Sequence, residues 1–316
     1  MRRVAAIDCG TNSLRLLVAE VTQGRALADV VRRTEVVRLG QGVDVTGEIA
    51  PEAMARALAV SAEYARVCDA LGVEAVRYVA TSAARDARNA GQFVDGVSAC
   101  FGDRGVRPEV ITGGEEAALS FQGATTAVAA AGYPGEYLVV DLGGGSTEVA
   151  RGGVELRQAI SLEIGCVRLT ERLLRSDPPS PAEAMALRVQ VQVALDRMEA
   201  AVGVAGVRTL VGLAGSITTI TAHALGLDAY ADARVHLAML TCDETLAACA
   251  SLASLPRQEL ARLAHVHPGR VDVIAAGALI WGAIVERVRA VAGDVPVVTS
   301  VHDLLDGIAQ HLASGL

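Results

Sequence analysis

AIDCGTNS at residues 6–13 and VVDLGGGS at residues 139–146 decide the fold of this 316-residue chain. The two segments share the pattern Asp-x-Gly-x-x-Ser, each lies between an apolar run and a second strand-like run, and Asp141 stands 133 positions after Asp8. A repeat of this kind indicates that one supersecondary unit is used twice. The sequence therefore predicts two similar halves, each containing a strand–turn–strand hairpin.

The turns of these hairpins are rich in glycine and hydroxyl residues, which suits the binding of an anion. Backbone N–H groups at such a turn can donate to phosphate oxygens, and an Asp at the end of the strand can hold a divalent metal. One copy alone could be a plain turn, in which Gly supplies a positive φ and Asp or Asn caps it. Two copies favour binding, because Gly143, Gly144 and Gly145 cost conformational entropy unless a backbone must approach a ligand closely.

The composition excludes several classes of protein. A chain with 52% hydrophobic residues is not disordered, and at ~150 residues per domain its length predicts about two domains. A net charge of −8 argues against nonspecific binding of nucleic acid. The longest apolar run, 273–285, is too short to span a bilayer, and the six cysteines contain no C-x-x-C pair. We therefore expect a cytoplasmic protein with no nucleic-acid or membrane partner.

The sequence contains no lysine, so that all 28 basic residues are arginine. A Schiff base, a P-loop lysine and a lysine general base are therefore excluded. Any bound phosphate must be held by arginine, backbone amides, hydroxyl groups or a metal ion.

Strand-like and helix-like segments alternate along the chain, which is typical of an α/β protein. Two separate strands are predicted at 26–31 and 35–39, and Pro51 opens a helix. Glu115 and Glu116 stand at the start of another helix, where acidic side chains suit the helix dipole. On that ground alone, the two glutamates need have no function beyond stabilising the helix.

Six motifs occur in the order typical of a known family. They are AAIDCGTNSLRLLVAEV, VATSAARDARNA, ITGGEEAALSFQGA, YLVVDLGGGSTEVA, EIGCVRLTERL and GLAGSITTITA. Together they resemble the Ppx/GppA family of exopolyphosphatases and guanosine pentaphosphate phosphohydrolases, within the actin, heat-shock ATPase and sugar-kinase superfamily. The resemblance implies two ribonuclease H-like domains with an active-site cleft between them. Domain I would comprise residues 1–121 with a returning helix at 297–316, and domain II residues 122–296.

The resemblance also implies roles for particular residues. Glu116 would orient or deprotonate the attacking water. The metal ligands would be Asp8, Asp141 and Glu148, of which the last two would also serve catalysis. The phosphate-binding residues would be Thr11, Asn12, Ser13, Arg85, Gly143, Gly144, Gly145 and Ser146. The metal would be Mg²⁺, with Mn²⁺ as the alternative.

Some of these residues also have purely structural interpretations. Arg85 could be a solvated helix charge, because Arg88 beside it looks equivalent, and Glu148 could be a charge on the surface of a strand. Hydrolysis of a phosphoanhydride nevertheless requires what these residue types supply, namely charge neutralisation and an acceptor for the proton of water.

We expect the chain to be an exopolyphosphatase, which releases orthophosphate from the end of inorganic polyphosphate. The first alternative is a guanosine pentaphosphate phosphohydrolase, but the chain has little aromatic material to stack on guanine, with three Phe, five Tyr and one Trp. A second alternative is a non-catalytic protein that binds nucleotide or polyphosphate, against which the retained acidic residues argue. A kinase would need acceptor and adenine sites, for which the sequence offers no distinctive residues.

Two departures from the family pattern affect these expectations. Many members continue into helical C-terminal domains, so this short form is expected to prefer short polyphosphate. Near the end, the usual S-D-x-x-L-R-E-G reads SVHDLLDG at residues 300–307, with Asp306 in the acidic position and no arginine. The resemblance further implies a homodimer and a link to the stringent response, with guanosine penta- or tetraphosphate as an additional partner.

Overall fold

The structure, a computed structural model, describes residues 2–21 and 27–314. The strands in these ranges are β1 (Arg2–Cys9), β2 (Ser13–Val21), β3 (Ala28–Val36), β4 (Ala75–Ala80), β5 (Glu109–Val110), β6 (Tyr137–Leu142), β7 (Thr147–Gly152), β8 (Leu156–Leu162), β9 (Thr209–Leu213), β10 (Ala238–Leu240) and β11 (Val297–Thr299). The helices are α1 (Val43–Thr46), α2 (Pro51–Ala70), α3 (Ser82–Asp86), α4 (Ala90–Phe101), α5 (Gly113–Ala130), α6 (Cys166–Leu173), α7 (Pro181–Val202), α8 (Ala214–Ala224), α9 (Asp232–Val235), α10 (Cys242–Ser254), α11 (Arg257–Leu260), α12 (Ile274–Ala292) and α13 (Leu304–Ser314).

The two sheets share one topology. The first has the strand order β3-β2-β1-β4-β5, and the second contains the corresponding order β8-β7-β6-β9-β11 with β10 added at its edge. In each sheet the first three strands of the half pair in antiparallel fashion. The next strand, β4 or β9, lies parallel to the first strand of its half, β1 or β6. This repeat confirms the prediction of an α/β protein with two ribonuclease H-like halves.

The two hairpin turns are alike down to their hydrogen bonds. The N–H of Gly10 donates to the carbonyl of Ser13 over 2.9 Å, and the N–H of Gly143 donates to the carbonyl of Ser146 over 3.0 Å. The Asp-x-Gly-x-x-Ser pattern therefore encodes one local structure in both places.

Apolar runs and helix caps account for the main elements. All six residues of β6 are buried, as expected of a strand covered on both faces. Pro51 occupies the first turn of α2, and Ser180 with Glu183 forms a capping box at the start of α7. Among the described residues, no helix is both long and apolar enough to cross a membrane.

The chain divides into two compact units, residues 1–123 with 304–316 and residues 124–303, and the division falls within α5. Residues 297–303, which the sequence analysis placed in the returning segment, belong to the second unit, because β11 pairs with β9. Residues 315 and 316 of that predicted segment lie outside the described residues.

The prediction of two strands at 26–31 and 35–39 is wrong. A single strand, β3, covers most of this region, while residue 26 lies outside the described ranges. The charged residues Arg32 and Arg33 suggested a break between strands. They are accommodated because β3 is an edge strand, whose side chains can reach solvent.

Helix α13 packs on the first sheet, where Leu304 and Ile308 join a buried cluster with Val4 and Ala6. Within the atypical SVHDLLDG segment, Asp306 is buried and forms two hydrogen bonds with Arg32 of β3, of 2.7 and 3.2 Å. The acidic residue of this segment therefore pairs with an arginine from a strand that is distant in sequence.

Removal of this ion pair should loosen the attachment of α13. Arg32→Met leaves the Asp306 carboxylate without its guanidinium, and we expect a loss of about 1–2 kcal/mol in the free energy of unfolding. The neighbouring Arg33→Met is the control, because Arg33 and its partner Glu63 are both largely exposed and such pairs contribute little. Urea denaturation followed by circular dichroism measures both, and equal losses would contradict the assignment.

Candidate active site

The first hairpin holds its aspartate with an arginine. Asp8 is buried near the end of β1 and lies directly opposite Arg15 of β2. The Nε and Nη2 atoms of Arg15 donate to Oδ2 of Asp8 over 2.9 and 2.7 Å. The carboxylate predicted to face a metal is thus already engaged by a cation of its own hairpin.

The turn that follows Asp8 is fixed by the segment after β3. The carbonyl of Thr11 accepts from the N–H of Gly40, and the carbonyl of Asn12 accepts from the N–H of Arg38, both over 2.8 Å. A Cβ at Gly40 would stand 2.3 Å from the methyl carbon of Thr11, so only glycine permits this approach. Thr11, Asn12 and Ser13 were all predicted to bind phosphate. They lie together in one turn, which these contacts hold in place.

Glu116 and Arg85 form a direct ion pair. Glu116 lies in the first turn of α5 and is only 7% exposed. Nη1 of Arg85, in α3, donates to Oε2 of Glu116 over 3.1 Å and to the carbonyl of Ile111 over 2.9 Å. The predicted base and a predicted phosphate-binding residue are thus brought together, and the arginine orients the carboxylate.

The structure also gives Glu115 and Arg88 different surroundings from Glu116 and Arg85. Glu115 forms an ion pair with Arg77 on an exposed surface, with Oε1 and Nη2 2.7 Å apart. The Arg88 side chain is 70% exposed and pairs with Glu48. The equivalence that the sequence suggested, between Glu115 and Glu116 and between Arg85 and Arg88, is therefore absent.

Asp141 and Glu148 face each other across the second hairpin. They are direct partners in the register of β6 and β7, and both are buried. Directly opposed residues project from the same face of a sheet. The hydroxyl of Ser161, the partner of Glu148 on β8, donates to Oε1 of Glu148 over 2.7 Å.

The two hairpins differ in charge at one equivalent position. Arg15 opposes Asp8 in the first hairpin, whereas Glu148 opposes Asp141 in the second. The first pair is neutral overall, but the second places two carboxylates together in a buried position, where like charges repel unless a cation or proton compensates them. The second hairpin is therefore better suited to a divalent metal.

The donor set of this second hairpin fits Mg²⁺ or Mn²⁺. Both metals prefer oxygen ligands, and Mg²⁺ usually binds through one or two carboxylates, with waters and substrate phosphates completing its shell. No cluster of three or more His, Cys, Asp or Glu side chains arranged to hold a metal occurs in residues 2–21 and 27–314. Asp141 and Glu148 would thus hold a metal together with ligands from outside the chain.

Cysteine chemistry plays no part at this site. Within the described part of the chain all six cysteines are free, and five of them are buried. Burial, together with the charge of Asp8, raises the pKa of the Cys9 thiol far above its usual value. A thiol that stays protonated is a poor nucleophile. We therefore expect the nucleophile at this site to be water.

Sequence reasoning did not identify the contacts of three residues that support the site, although two of them, Arg15 and Arg168, stand near the motif segments. Arg15 could have been assigned to Asp8 from the register of a two-stranded hairpin with a short turn. Gly40 and Arg168 gave no such signal, because each contacts its turn from a segment more than 20 residues away.

A cavity of about 450 Å³ opens on the second unit, away from the predicted site residues. It is lined by Thr125, Thr126, Ala129, Gly135, Glu136, Tyr137, Gly153, Val154 and Arg208. None of the residues predicted to be catalytic lines it, so we attach no catalytic role to this cavity.

Comparison with known proteins adds independent information. The profile of the Ppx/GppA phosphatase family matches residues 17–311. A protein named exopolyphosphatase 2 from Mycobacterium tuberculosis (strain CDC 1551 / Oshkosh) is 47% identical over 318 residues, which cover 99% of each chain. The crystal structure of an exopolyphosphatase-like protein superimposes with a TM-score of 0.93 at 40% identity, covering 99% of both chains. An exopolyphosphatase from Cytophaga hutchinsonii ATCC 33406 gives 0.89 at 25% identity, covering 100% of this chain and 99% of that one.

Proposed function

Because this chain belongs to the Ppx/GppA phosphatase family, we propose that it is an exopolyphosphatase, which hydrolyses the terminal phosphoanhydride bond of inorganic polyphosphate. The observation that carries the proposal is the full-length match, at 47% identity, to a protein named exopolyphosphatase 2. The active-site cleft between the two domains stays a prediction from the family resemblance.

In the proposed reaction, Glu116 accepts a proton from the water that attacks the terminal phosphorus. A general base must be held in position and must reach a proton of the water directly. The hydrogen bond from Arg85 satisfies the first requirement. Both hydrogen bonds of this guanidinium come from Nη1, and its Nε and Nη2 make none with residues 2–21 and 27–314. These N–H groups can donate to phosphate oxygens, in agreement with the predicted role of Arg85.

The glycine-rich turn and the metal neutralise the charge of the phosphate chain. We assign the backbone N–H groups of residues 143–146 to phosphate oxygens, and the side chains of Asp141 and Glu148 to Mg²⁺ or Mn²⁺. When bound, the metal would supply positive charge to the phosphate oxygens as negative charge redistributes in the transition state. Asp8 remains a further proposed ligand, although Arg15 competes for its carboxylate.

Loss of one carboxylate of this pair should weaken metal binding. We expect Glu148→Gln to raise the Mg²⁺ concentration for half-maximal activity at least about tenfold, because even indirect perturbations of a metal site cost roughly 10–100-fold in affinity. Glu155→Gln, at an exposed position after β7, is the matched control. Calorimetric titration with Mg²⁺ provides a readout independent of turnover. An unchanged Mg²⁺ requirement in Glu148→Gln would contradict this ligand assignment.

The substrate is tested by phosphate release from wild-type protein with Mg²⁺ on tripolyphosphate, long-chain polyphosphate, guanosine pentaphosphate and ATP. We expect turnover of polyphosphate, with a preference for the short chain. A preference for guanosine pentaphosphate would favour the other activity of the family. Binding of polyphosphate without turnover of any of the four substrates would indicate a non-catalytic protein.

Two further proposals rest on the resemblance and on composition. We propose a homodimer, which sedimentation velocity tests directly. We also propose a reducing, cytoplasmic location, which the six free cysteines support. Guanosine penta- or tetraphosphate is proposed as an additional ligand, and equilibrium dialysis with each nucleotide tests that proposal.

A further inference from the structure

The beginning of α6 holds the glycine-rich turn by its carbonyl groups. Three consecutive carbonyl oxygens of the turn accept hydrogen bonds from three consecutive residues of the helix. The bonds run from Cys166 N to Gly143 O over 3.1 Å, from Val167 N to Gly144 O over 2.9 Å, and from Arg168 Nε to Gly145 O over 2.6 Å. The N–H groups at the start of a helix have no partner within it, and here the turn provides partners for them.

The hydrogen bonds that these carbonyls accept determine the direction of the N–H groups in the turn. In a trans peptide the C=O and the N–H of one plane point in opposite directions. The carbonyls of residues 143–145 share their peptide planes with the N–H groups of Gly144, Gly145 and Ser146. With the carbonyls directed at α6, these three N–H groups are directed away from it. In the described part of the chain no hydrogen bond is recorded from any of the three, so they are available to an anion.

Arg168 differs from the other two donors because it uses its side chain. The residue is only 9% exposed, and its backbone N–H also donates to Gly144 O over 3.1 Å. A charged donor makes a stronger hydrogen bond than a neutral one, and a bond to the carbonyl of Gly145 polarises the peptide whose N–H belongs to Ser146. Substitution can remove this donor, whereas the two backbone donors persist in any variant.

The packing beneath the turn leaves little room for adjustment. A Cβ at Gly165 would stand 2.3 Å from the carbonyl oxygen of Gly144 and 2.6 Å from the carbonyl carbon of Gly145. The hydroxyl of Thr147 also donates to the carbonyl of Ile164. The turn and the residues before α6 are therefore in direct backbone contact, and the Arg168 guanidinium is part of this contact.

We propose that Arg168 is a positioning residue for substrate binding, which holds the peptide between Gly145 and Ser146 so that the N–H groups of the turn stay aimed at the phosphate chain. This role rests on the proposed function, because it takes the turn to be the phosphate-binding loop. The Nε–H of Arg168 is directed at the protein backbone, and the proposed role requires no contact of this residue with substrate.

The test compares Arg168→Met, Arg168→Lys and Arg172→Met by steady-state kinetics on tripolyphosphate with saturating Mg²⁺. Arg172 lies one turn later on the same helix and is exposed, so that its replacement removes the same charge from a surface position. A thermal melt of each variant reports its folded fraction at the assay temperature. We expect Arg168→Met to raise KM at least about tenfold with kcat within about threefold, because loss of uniform substrate binding acts on KM.

Arg168→Lys keeps the positive charge but lacks the Nε–H, so we expect its KM to lie between those of the wild type and Arg168→Met. If Arg168→Met does not fold, Arg168→Lys provides the test. Arg172→Met should have the wild-type KM. An unchanged KM in the folded Arg168 variants, a loss of activity that only follows the folded fraction, or an equal effect in Arg172→Met would each overturn the proposal. Failure of the wild-type protein to hydrolyse polyphosphate would instead reject the proposed function.

Discussion

Glu116→Gln should lower kcat on polyphosphate at least about 100-fold, the lower end of the range for loss of a general base. Glutamine has nearly the same shape as glutamate, and its side-chain oxygen can still accept a hydrogen bond from Arg85. The carboxylate that would take the proton of the attacking water is lost, while the packing around α5 is retained. Rates of phosphate release at saturating tripolyphosphate measure the effect.

Glu115→Gln is the matched control for this experiment. It makes the same chemical change one residue earlier, at a side chain that is exposed and paired with Arg77. We expect its kcat to stay close to that of the wild type. Equal kcat values for Glu116→Gln and the wild type would show that Glu116 is not the base, whichever substrate the protein uses.

The second large effect that we expect is on stability, and it arises where α13 meets α5. A Cβ at Gly307 would stand 2.1 Å from the carbonyl oxygen of Leu119 and 2.7 Å from its carbonyl carbon. These are backbone atoms, which cannot move aside as the end of a flexible side chain can. Gly307→Ala should therefore force the two helices apart, at a cost of about 3 kcal/mol, the upper end for an overpacked core. The melting temperature should fall by several degrees.

Gly91→Ala provides a control of opposite sign. Gly91 lies in α4, and a Cβ built on it would meet no atom within 4 Å. Alanine has the higher helix propensity by about 1 kcal/mol, so this variant should be more stable than the wild type. Thermal unfolding followed by circular dichroism compares the two. A melting temperature of Gly307→Ala equal to that of the wild type would mean that the contact with Leu119 relaxes without cost.

Much of the fold could be predicted because it depends on local patterns. The Asp-x-Gly-x-x-Ser repeat identified both hairpin turns, and the matching bonds at Gly10 and Gly143 show why. A turn of this kind is determined by a few adjacent residues. The edge strand β3 was mispredicted for a related reason, since burial on one side only does not produce a clear apolar pattern.

The candidate site divides in the same way. Glu116, Asp141 and Glu148 were selected from motifs, and the structure finds all three buried, which is uncommon for carboxylates. The motifs could not show that Arg85 orients Glu116, because the two residues are 31 positions apart. They also did not show that Asp8 faces the positive charge of Arg15 across its hairpin, whereas Asp141 faces a second carboxylate, that of Glu148.

The repeated α/β architecture and the two hairpin turns could be predicted from the sequence alone, as could the acidic residues proposed for the site, because each depends on residues close together in the chain. How these parts are held together depends instead on contacts between residues far apart in the chain. The pair of Arg32 and Asp306 joins residues 274 positions apart, and Arg168 holds a turn that precedes it by 23. Such contacts form when elements distant in sequence pack together, and local conformational preferences carry no information about which elements will meet.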